Sequence, residues 1–415
     1  MTSAKNIFVF VVCGSEEHIH TLNFSLRYLR YFSVNDIIVV TDLKRNAIPI
    51  DHVDVLDIET PSDYDHHQAS IYLKTSLHTT LDLETNIYCY LDSDVIAASA
   101  KVDDIFSHAI NPITFALDHC TIDVFSPNAM NCDCLEKSKV KVELLDKLST
   151  EYEDKCKPKD PALYEKYKKV IRLLDLFGEQ TEWFGKNTLF RLALSLIKPS
   201  QYNFTKFLKS NGDFRWDRKE RKVYDSEGNL IYDDAYLFPD FIENNSEFRY
   251  DKDSNTWYDE AGKKVYRTSC NHLIEAIQSK FSTKVTNDRW QHWNGGVFLF
   301  NKASVEFMDT WLEKTMEIFK DTSWKVRDQG TLIATVWKMN LQGQAYLPSE
   351  FNFLADYHMS NLAFDTERGF SNDNYKTSTK PYFVHIYHHF GDKTWAVWQN
   401  IEKLLPAAEP VSINE

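Results

Sequence analysis

The chain is short of positive charge. Its 415 residues hold 47 lysines and arginines against 61 aspartates and glutamates, a formal charge of −14. Nucleic acids and anionic membrane surfaces both require a basic footprint, so neither is an expected partner. A phosphate-bearing ligand would need local positive charge, from a metal ion or a few placed Lys and Arg side chains. Long apolar runs are missing as well. The first run, Ile7 to Cys13, is too short for a signal core plus cleavage site, and none reaches the ~18 residues of a membrane span. The expectation is a cytoplasmic protein without a transmembrane segment. Seven cysteines, an odd number without framework spacing, point to reduced thiols. His119-Cys120, Cys132 and Cys134 form one tight group, a weak zinc candidate because Cys-x-Cys is not the usual Cys-x-x-Cys. Two nucleotide loops are also absent. No Gly-x-Gly-x-x-Gly follows the first strand and no Walker-type Gly-Lys-Ser/Thr occurs, which argues against a dinucleotide Rossmann site.

What is present is a globular composition. Apolar residues make up 43% of the chain, enough for a large core. The 27 Phe, 21 Tyr and 10 Trp are mostly core material, although sugar sites use such rings as platforms. Ile7 to Val12 is a continuous apolar run, the mark of a strand buried on both faces. His18 to Phe32 has helical spacing, Ile37–Val40 and Val53–Ile58 read as strands, and Ile71–Leu83 as a helix. A strand from Ile87 to Leu91 then ends in Asp92-Ser93-Asp94. This rhythm predicts a parallel, doubly wound α/β sheet. Residues i and i+2 of an extended chain point the same way, so Asp92 and Asp94 converge where α/β sheets bind ligands. Two aligned carboxylates favour a divalent cation between them.

From about Asn131 to Ser282 the character changes. Glu136 to Lys155 is dense in Lys and Glu; Asp160-Pro161 starts a helix that Gly178 should stop, and Asn187–Ile197 reads as another. Phe214-Arg215-Trp216-Asp217 recurs as Phe248-Arg249-Tyr250-Asp251, and Tyr224-Asp225-Ser226-Glu227-Gly228 as Tyr258-Asp259-Glu260-Ala261-Gly262. Each copy reads as a β-hairpin. Trp293-Asn294-Gly295-Gly296 then feeds a buried strand, where the glycines imply a close backbone approach. Ala303–Phe319 is an amphipathic helix, Arg327-Asp328-Gln329-Gly330 opens another, and a last strand, Phe383–Tyr387, runs into His388-His389-Phe390-Gly391-Asp392-Lys393-Thr394-Trp395.

Leu-Asp-x-Asp, Trp-Asn-Gly-Gly-Val, Asp-Gln-Gly and His-x-x-Gly-x-Lys-x-Trp, in that order, resemble the glycogenin-like family of retaining glycosyltransferases. The resemblance covers roughly residues 5–120 and 285–400. It implies the GT-A fold, a nucleotide-diphospho-sugar transferase architecture of Rossmann-like α/β type. Here that means a catalytic domain of residues 1–130 and 283–405 interrupted by a large α+β insertion, 131–282. It also implies a nucleotide-sugar donor, most simply a UDP-sugar, a Mn²⁺ (or Mg²⁺) ion, and a glycan or glycoconjugate acceptor that the insertion would help select. Carried over residue by residue, Asp92, Asp94 and His388 match the metal ligands, with His385 and His389 standing close enough to compete for the last place. Lys74, Ser93, Asp118, Asn294, Gly295, Gly391 and Lys393 match donor contacts, and Asp328 and Gln329 the catalytic face. The family's Gly-x-x-Lys-Pro-Trp is altered: the lysine falls one residue early and Thr394 stands where proline is usual. Two rival readings are a haloacid-dehalogenase-like phosphohydrolase with Asp92 as phosphoryl acceptor, and a non-catalytic carbohydrate-binding protein using the paired hairpins.

Overall fold

The computed structural model describes residues 4–156, 158, 160–185, 204–217, 222–233, 238–251, 253–359, 361–372 and 378–405. The chain forms two compact units, Met1–Cys132 with Ser269–Glu415, and Asp133–Thr268. Residues 269–282, expected in the insertion, belong to the first unit and supply the helix His272–Phe281.

The first unit is built on a six-stranded sheet. Its opening strands are β1 (Asn6–Val11), β2 (Asp36–Thr41), β3 (Val55–Asp57), β4 (Ile87–Leu91) and, after the short β5 (Val95–Ala97), β6 (Thr114–Thr121). Strand β7 (Gln291–Phe300) arrives from the far side of the insertion and completes the order β3-β2-β1-β4-β7-β6. β1 pairs in parallel with β2 and β4, while β7 runs antiparallel to β4 and β6. The sheet is therefore mixed, a correction to the all-parallel expectation. The run-based reading saw each strand's burial but not its direction, which only pairing fixes.

Alternation along β1 explains its apolar continuity. Phe8 and Phe10 enter one core with Leu22, Leu26 and Val384, and Ile7, Val9 and Val11 enter another with Leu73, Trp311 and Leu332. Helix α1 (Glu16–Phe32) starts at Ser15, whose hydroxyl accepts from the His18 N–H, and Glu16 and Glu17 suit its positive end. Helix α2 (His66–Thr75) begins five residues before its expected start, at an Asp65/Gln68 capping box. It ends sooner than expected, because Thr75 and Ser76 hydroxyls bond back to Ile71 O and Tyr72 O; a separate turn, Leu77–Thr80, follows. After β7 come helices α3 (Val305–Glu317) and α4 (Arg327–Lys338). Strands β8 (Phe353–Leu354) and β9 (Phe383–His385) form a small sheet with β5, order β8-β9-β5, in which His385 pairs with Val95.

The second unit holds helices Cys134–Cys156 and Pro161–Gly185. Asp160 accepts from the Ala162 N–H at 2.9 Å, as the cap reading expects, but the helix runs past Gly178. A lone glycine costs only about 1 kcal/mol inside a helix and does not stop it. The expected helix Asn187–Ile197 lies outside the described residues. Both hairpins form in the same register: Arg215 faces Tyr224 and Asp217 faces Lys222, as Arg249 faces Tyr258 and Asp251 faces Thr256. Asp225 caps the turn N–H groups of Glu227 and Asn229, and Asp259 does the same for Ala261 and Lys263. The repeat is larger than the sequence reading gave it, since the short helices Phe204–Asn211 and Phe238–Asn245 precede the two copies at matching positions. Each copy packs on its own long helix, the first against Ile171 and Leu174, the second against Leu145 and Leu148. Trp257 and Tyr232 are buried in these cores and Tyr266 is exposed, so most hairpin rings serve packing rather than a sugar platform.

Candidate active site

The backbone assembles the site before any side chain is considered. β4 carries the chain to Asp92, whose N–H donates to the Gly296 carbonyl of β7 at 2.8 Å, and Ile386 N–H donates to Asp94 O at 3.1 Å. The loop between β4 and β5 is thereby pinned from both sides. Its Ser93 carbonyl also accepts from Ser25 Oγ of α1 at 2.6 Å. Three titratable groups meet here. A carboxylate oxygen each from Asp92 and Asp94 and one ring nitrogen of His385 lie within 4.8 Å of one another. The Nε2 of His385 is 3.3 Å from Asp94 Oδ1.

His385, not His388, joins the aspartates. His388 sits instead with Asp356 and His358, its ring half-exposed and its Nδ1 3.5 Å from Asp356. Sequence spacing selected His388 because it counts back from Gly391. The deciding signal is the pairing of His385 with Val95, which lies beyond any local motif. Asn352 fixes the imidazole: its Oδ1 is 3.0 Å from His385 Nδ1, so Nδ1–H donates there, and Nε2 is left facing Asp94, which outweighs burial and raises the ring above its ordinary value.

The two glycines explain themselves at this point. A Cβ on Gly296 would lie 2.5 Å from the His385 ring and 2.9 Å from Asp92 Oδ2. On Gly295 it would lie 3.1 Å from Gln329 Oε1 and 3.4 Å from Lys74 Nζ. The β6 pairing register also shifts between Asn294 and Phe298, leaving the Gly295-Gly296 backbone to serve the site. Asn294 links three residues: its Nδ2 donates to Asp118 at 2.9 Å, and its Oδ1 accepts from Gly296 N–H and from Asn352.

Lys74 reaches in from α2, its ammonium 3.3 Å from Asp92 and 3.0 Å from Asp328 at the start of α4. Burial opposes the charged amine, but Asp92 and Asp328 outweigh it and hold the ammonium above its ordinary range. Burial likewise resists ionisation of Asp328, and Lys74 overcomes that, drawing the carboxyl below its usual value. Tyr90, raised by burial and by Asp92, stays a phenol and donates to Asp92 at 2.5 Å. Burial alone would raise Asp118, yet the His119 hydrogen bond and His292 hold it well below the carboxylate range. Gln329 is committed to the backbone: its Oε1 accepts from Gly295 N–H at 2.9 Å and its amide donates to Trp293 O.

A cleft opens onto this cluster at the carboxyl ends of β1 and β4, lined by Val11, Val12, Cys13, His18, His66, His67, Ser70, Ile71, Lys74, Tyr90, Asp92, Ser93, Asp94 and Asp328. Its location follows the rule for α/β sheets. His18, His66 and His67 were not singled out by sequence; no motif marks them, and only folding turns them to the cleft. Gly391 and Lys393 lie outside that lining, on an exposed turn where Gly391 has φ +81° and Asp392 caps Thr394 N–H at 2.8 Å. Asp392 also accepts from the Thr394 hydroxyl within that turn, and Lys393 is not among the residues that line the cleft.

The donor set fits a hard divalent cation: two carboxylates and an imidazole Nε2, beside a residue that tolerates no Cβ. Three carboxylates line the cleft against the single ammonium of Lys74, a local excess of negative charge. No protein-family model and no curated relative matches the chain. Among solved structures, it is similar to the apo structure of the WbbM bifunctional glycosyltransferase at 11% identity and a TM-score of 0.36, over 93% of this chain and 46% of that one. Mouse xyloside xylosyltransferase 1, also apo, gives 7% identity and a TM-score of 0.35, over 92% of this chain and 97% of that one. This chain thus spans about half of the WbbM protein. Likeness at this level assigns neither family nor activity, and the functional reading rests on the site.

Proposed function

We propose that the protein is a metal-dependent glycosyltransferase of GT-A type that moves a sugar from a nucleotide donor, first among them a UDP-sugar, to a glycan or glycoconjugate acceptor. The observation that carries this reading is the convergence of Asp92, Asp94 and His385 around the Gly296 backbone, with both aspartates lining a sheet-end cleft. Those three residues would hold Mn²⁺ or Mg²⁺. Such an ion neutralises the leaving nucleoside diphosphate, the main electrostatic demand of glycosyl transfer.

The chain's own residues supply orientation. Asn352 keeps His385 Nε2 aimed at the carboxylates, and Tyr90 and Lys74 hold Asp92 in place. Lys74 adds the positive charge that a diphosphate requires in a chain otherwise poor in it. Asp328 is the carboxylate on the sugar face, kept ionised by Lys74. Gln329 acts as a positioning residue, because both ends of its amide already hold the β7 backbone. The retaining outcome follows the motif resemblance, with Asp328 available to stabilise positive charge beneath the anomeric carbon. Gly391 and Lys393 remain proposed donor contacts by motif alone, and would have to approach the diphosphate from their exposed turn. Asp118 and Asn294 would bind the sugar's hydroxyls.

Thermal-shift screening of common nucleotide sugars, with and without Mn²⁺, tests this reading. A stabilisation that needs both sugar nucleotide and metal is expected, and Asp94→Asn should abolish it. Stabilisation by nucleotide sugar without metal, or a phosphorylated enzyme trapped at Asp92, would overturn it.

A further inference from the structure

Outside the cleft, a second group of metal-type ligands gathers where the first unit's chain breaks off and resumes. Cys132 is the last residue of the unit's opening segment, and Cys270 and His272 stand at the start of its return. The Sγ atoms of Cys132 and Cys270 and a ring nitrogen of His272 lie within 4.8 Å of one another. In sequence, Cys270 and His272 read Cys-x-His just after the insertion. The Cys132 and Cys270 thiols form no disulfide.

We propose that this is a structural zinc site with Cys132, Cys270 and His272, all of the first unit, as its protein ligands. The argument has three parts. First, the donors are soft: thiolates with one imidazole select zinc over the hard ions that carboxylates favour. Second, the spacing fits. Zn–S bonds of ~2.3 Å in a tetrahedron put neighbouring sulfurs ~3.8 Å apart, so ligands already within 4.8 Å need little movement. Third, the backbone is prepared. Cys270 N–H donates to Asp123 O at 2.9 Å, its Sγ is 3.1 Å from Ser126 Oγ, and the same hydroxyl accepts Leu273 N–H at the start of the His272–Phe281 helix. A hydroxyl beside a thiolate ligand is the kind of second partner that orients it.

The site would clip together the two points where the chain leaves the first unit and re-enters it. A small cluster of Ile122, Met130, Leu273 and Ile277 lies beneath, with Cys132 packed on its edge. The sequence grouping had attached Cys132 and Cys134 to His119-Cys120. In the fold, Cys120 and His119 gather with Asp118 instead, and Cys132 finds Cys270 and His272 from beyond the insertion. That partnership crosses too much chain for a motif to reveal.

The site is independent of the proposed reaction, and its readout is metal content rather than activity. Protein purified without chelators should contain one zinc per chain, released on titration of its thiols with a mercurial. Refolding or exchange with Co²⁺ should give thiolate charge-transfer absorption and the intense d–d bands of a tetrahedral ion. His272→Ala changes an exposed residue and should fold; it should lower zinc affinity at least tenfold and weaken the d–d bands. Cys132→Ser with Cys270→Ser should lose the zinc altogether, while Mn²⁺-dependent stabilisation by a nucleotide sugar persists. Absence of zinc from the wild type together with a featureless Co²⁺ spectrum would overturn the proposal. So would full zinc retention in the double variant.

Discussion

Two metal sites are proposed in the first unit, and they differ in donor chemistry, in exposure and in how the chain builds them. Asp92 and Asp94, which line a cleft, and the buried His385 beside them offer hard oxygen and nitrogen donors assembled by strand ends. Cys132, Cys270 and His272 offer soft donors on a helix–loop junction, away from that cleft lining. The first set leaves room for a ligand, since its cleft stays open beside the carboxylates. Two thiolates with an imidazole instead grip zinc through soft donors, with no cleft residue among them. One cluster is thus suited to exchange its ion with substrate and the other to hold its ion for the life of the fold.

The strongest way to break this contrast is Asp94→Asn. An amide keeps the shape but removes a charged ligand; with several kcal/mol of charge neutralisation at stake, glycosyl transfer should fall by about 10³-fold. The circular-dichroism spectrum and the zinc content should not change. Assays of transfer and of bound metal on the same preparation check this. Retained turnover would show that the carboxylate pair is not the working cluster, while loss of zinc as well would show that the two clusters are not independent.

Lys74→Met probes the electrostatic frame of the hard cluster. Removing the ammonium strands Asp328 in the protein interior, and breaking a buried pair of this kind costs about 3–5 kcal/mol. Urea unfolding should show that deficit at neutral pH. The sign with pH is defined. Asp328 is depressed below 3.8 in the folded wild type, so its pairing adds stability above that value and loses it as acid protonates the group. The deficit of Lys74→Met should therefore hold down to about pH 4 and shrink on further acidification. A deficit that also stays constant below that pH would mean that lost packing, not the ion pair, is responsible.

How much of this was legible beforehand differs between the clusters. Asp92 and Asp94 were readable because two residues on one strand end need only the period of an extended chain. Gly295 and Gly296 were readable as a close approach, although what approaches, the His385 ring and Gln329, was not. His385 was passed over for His388 because motif spacing assumes a fixed turn, and strand pairing overrode it. The antiparallel course of β7 escaped for the same reason. The thiol cluster was half-seen and wrongly grouped, since Cys270 lies beyond the insertion. Local periodicity carries elements, and pairing across long loops carries sites.

Gly296→Ala sharpens the comparison further. The added methyl would sit against the His385 ring and Asp92, and the ring must turn away to admit it. Displacing a ligand without deleting it should weaken Mn²⁺ binding by about 10–100-fold, the range seen when supporting contacts are lost. Calorimetric titration with Mn²⁺ measures it. Unaltered affinity would mean that the glycine only relieves packing.

The smallest effect separates the two histidines. His388 is half-exposed and touches Asp356, so His388→Ala should leave stability within about 0.5 kcal/mol of wild type. Its Mn²⁺ affinity should be equally undisturbed. His385→Ala, by contrast, removes a buried ring whose Nε2 faces Asp94 and whose Nδ1–H is held by Asn352. Measured side by side, the pair decides between motif spacing and strand register as the guide to the third ligand. If His388→Ala loses Mn²⁺ and His385→Ala keeps it, the exposed turn must fold over the cleft when donor binds. The hard cluster would then be completed by its substrate rather than by the sheet.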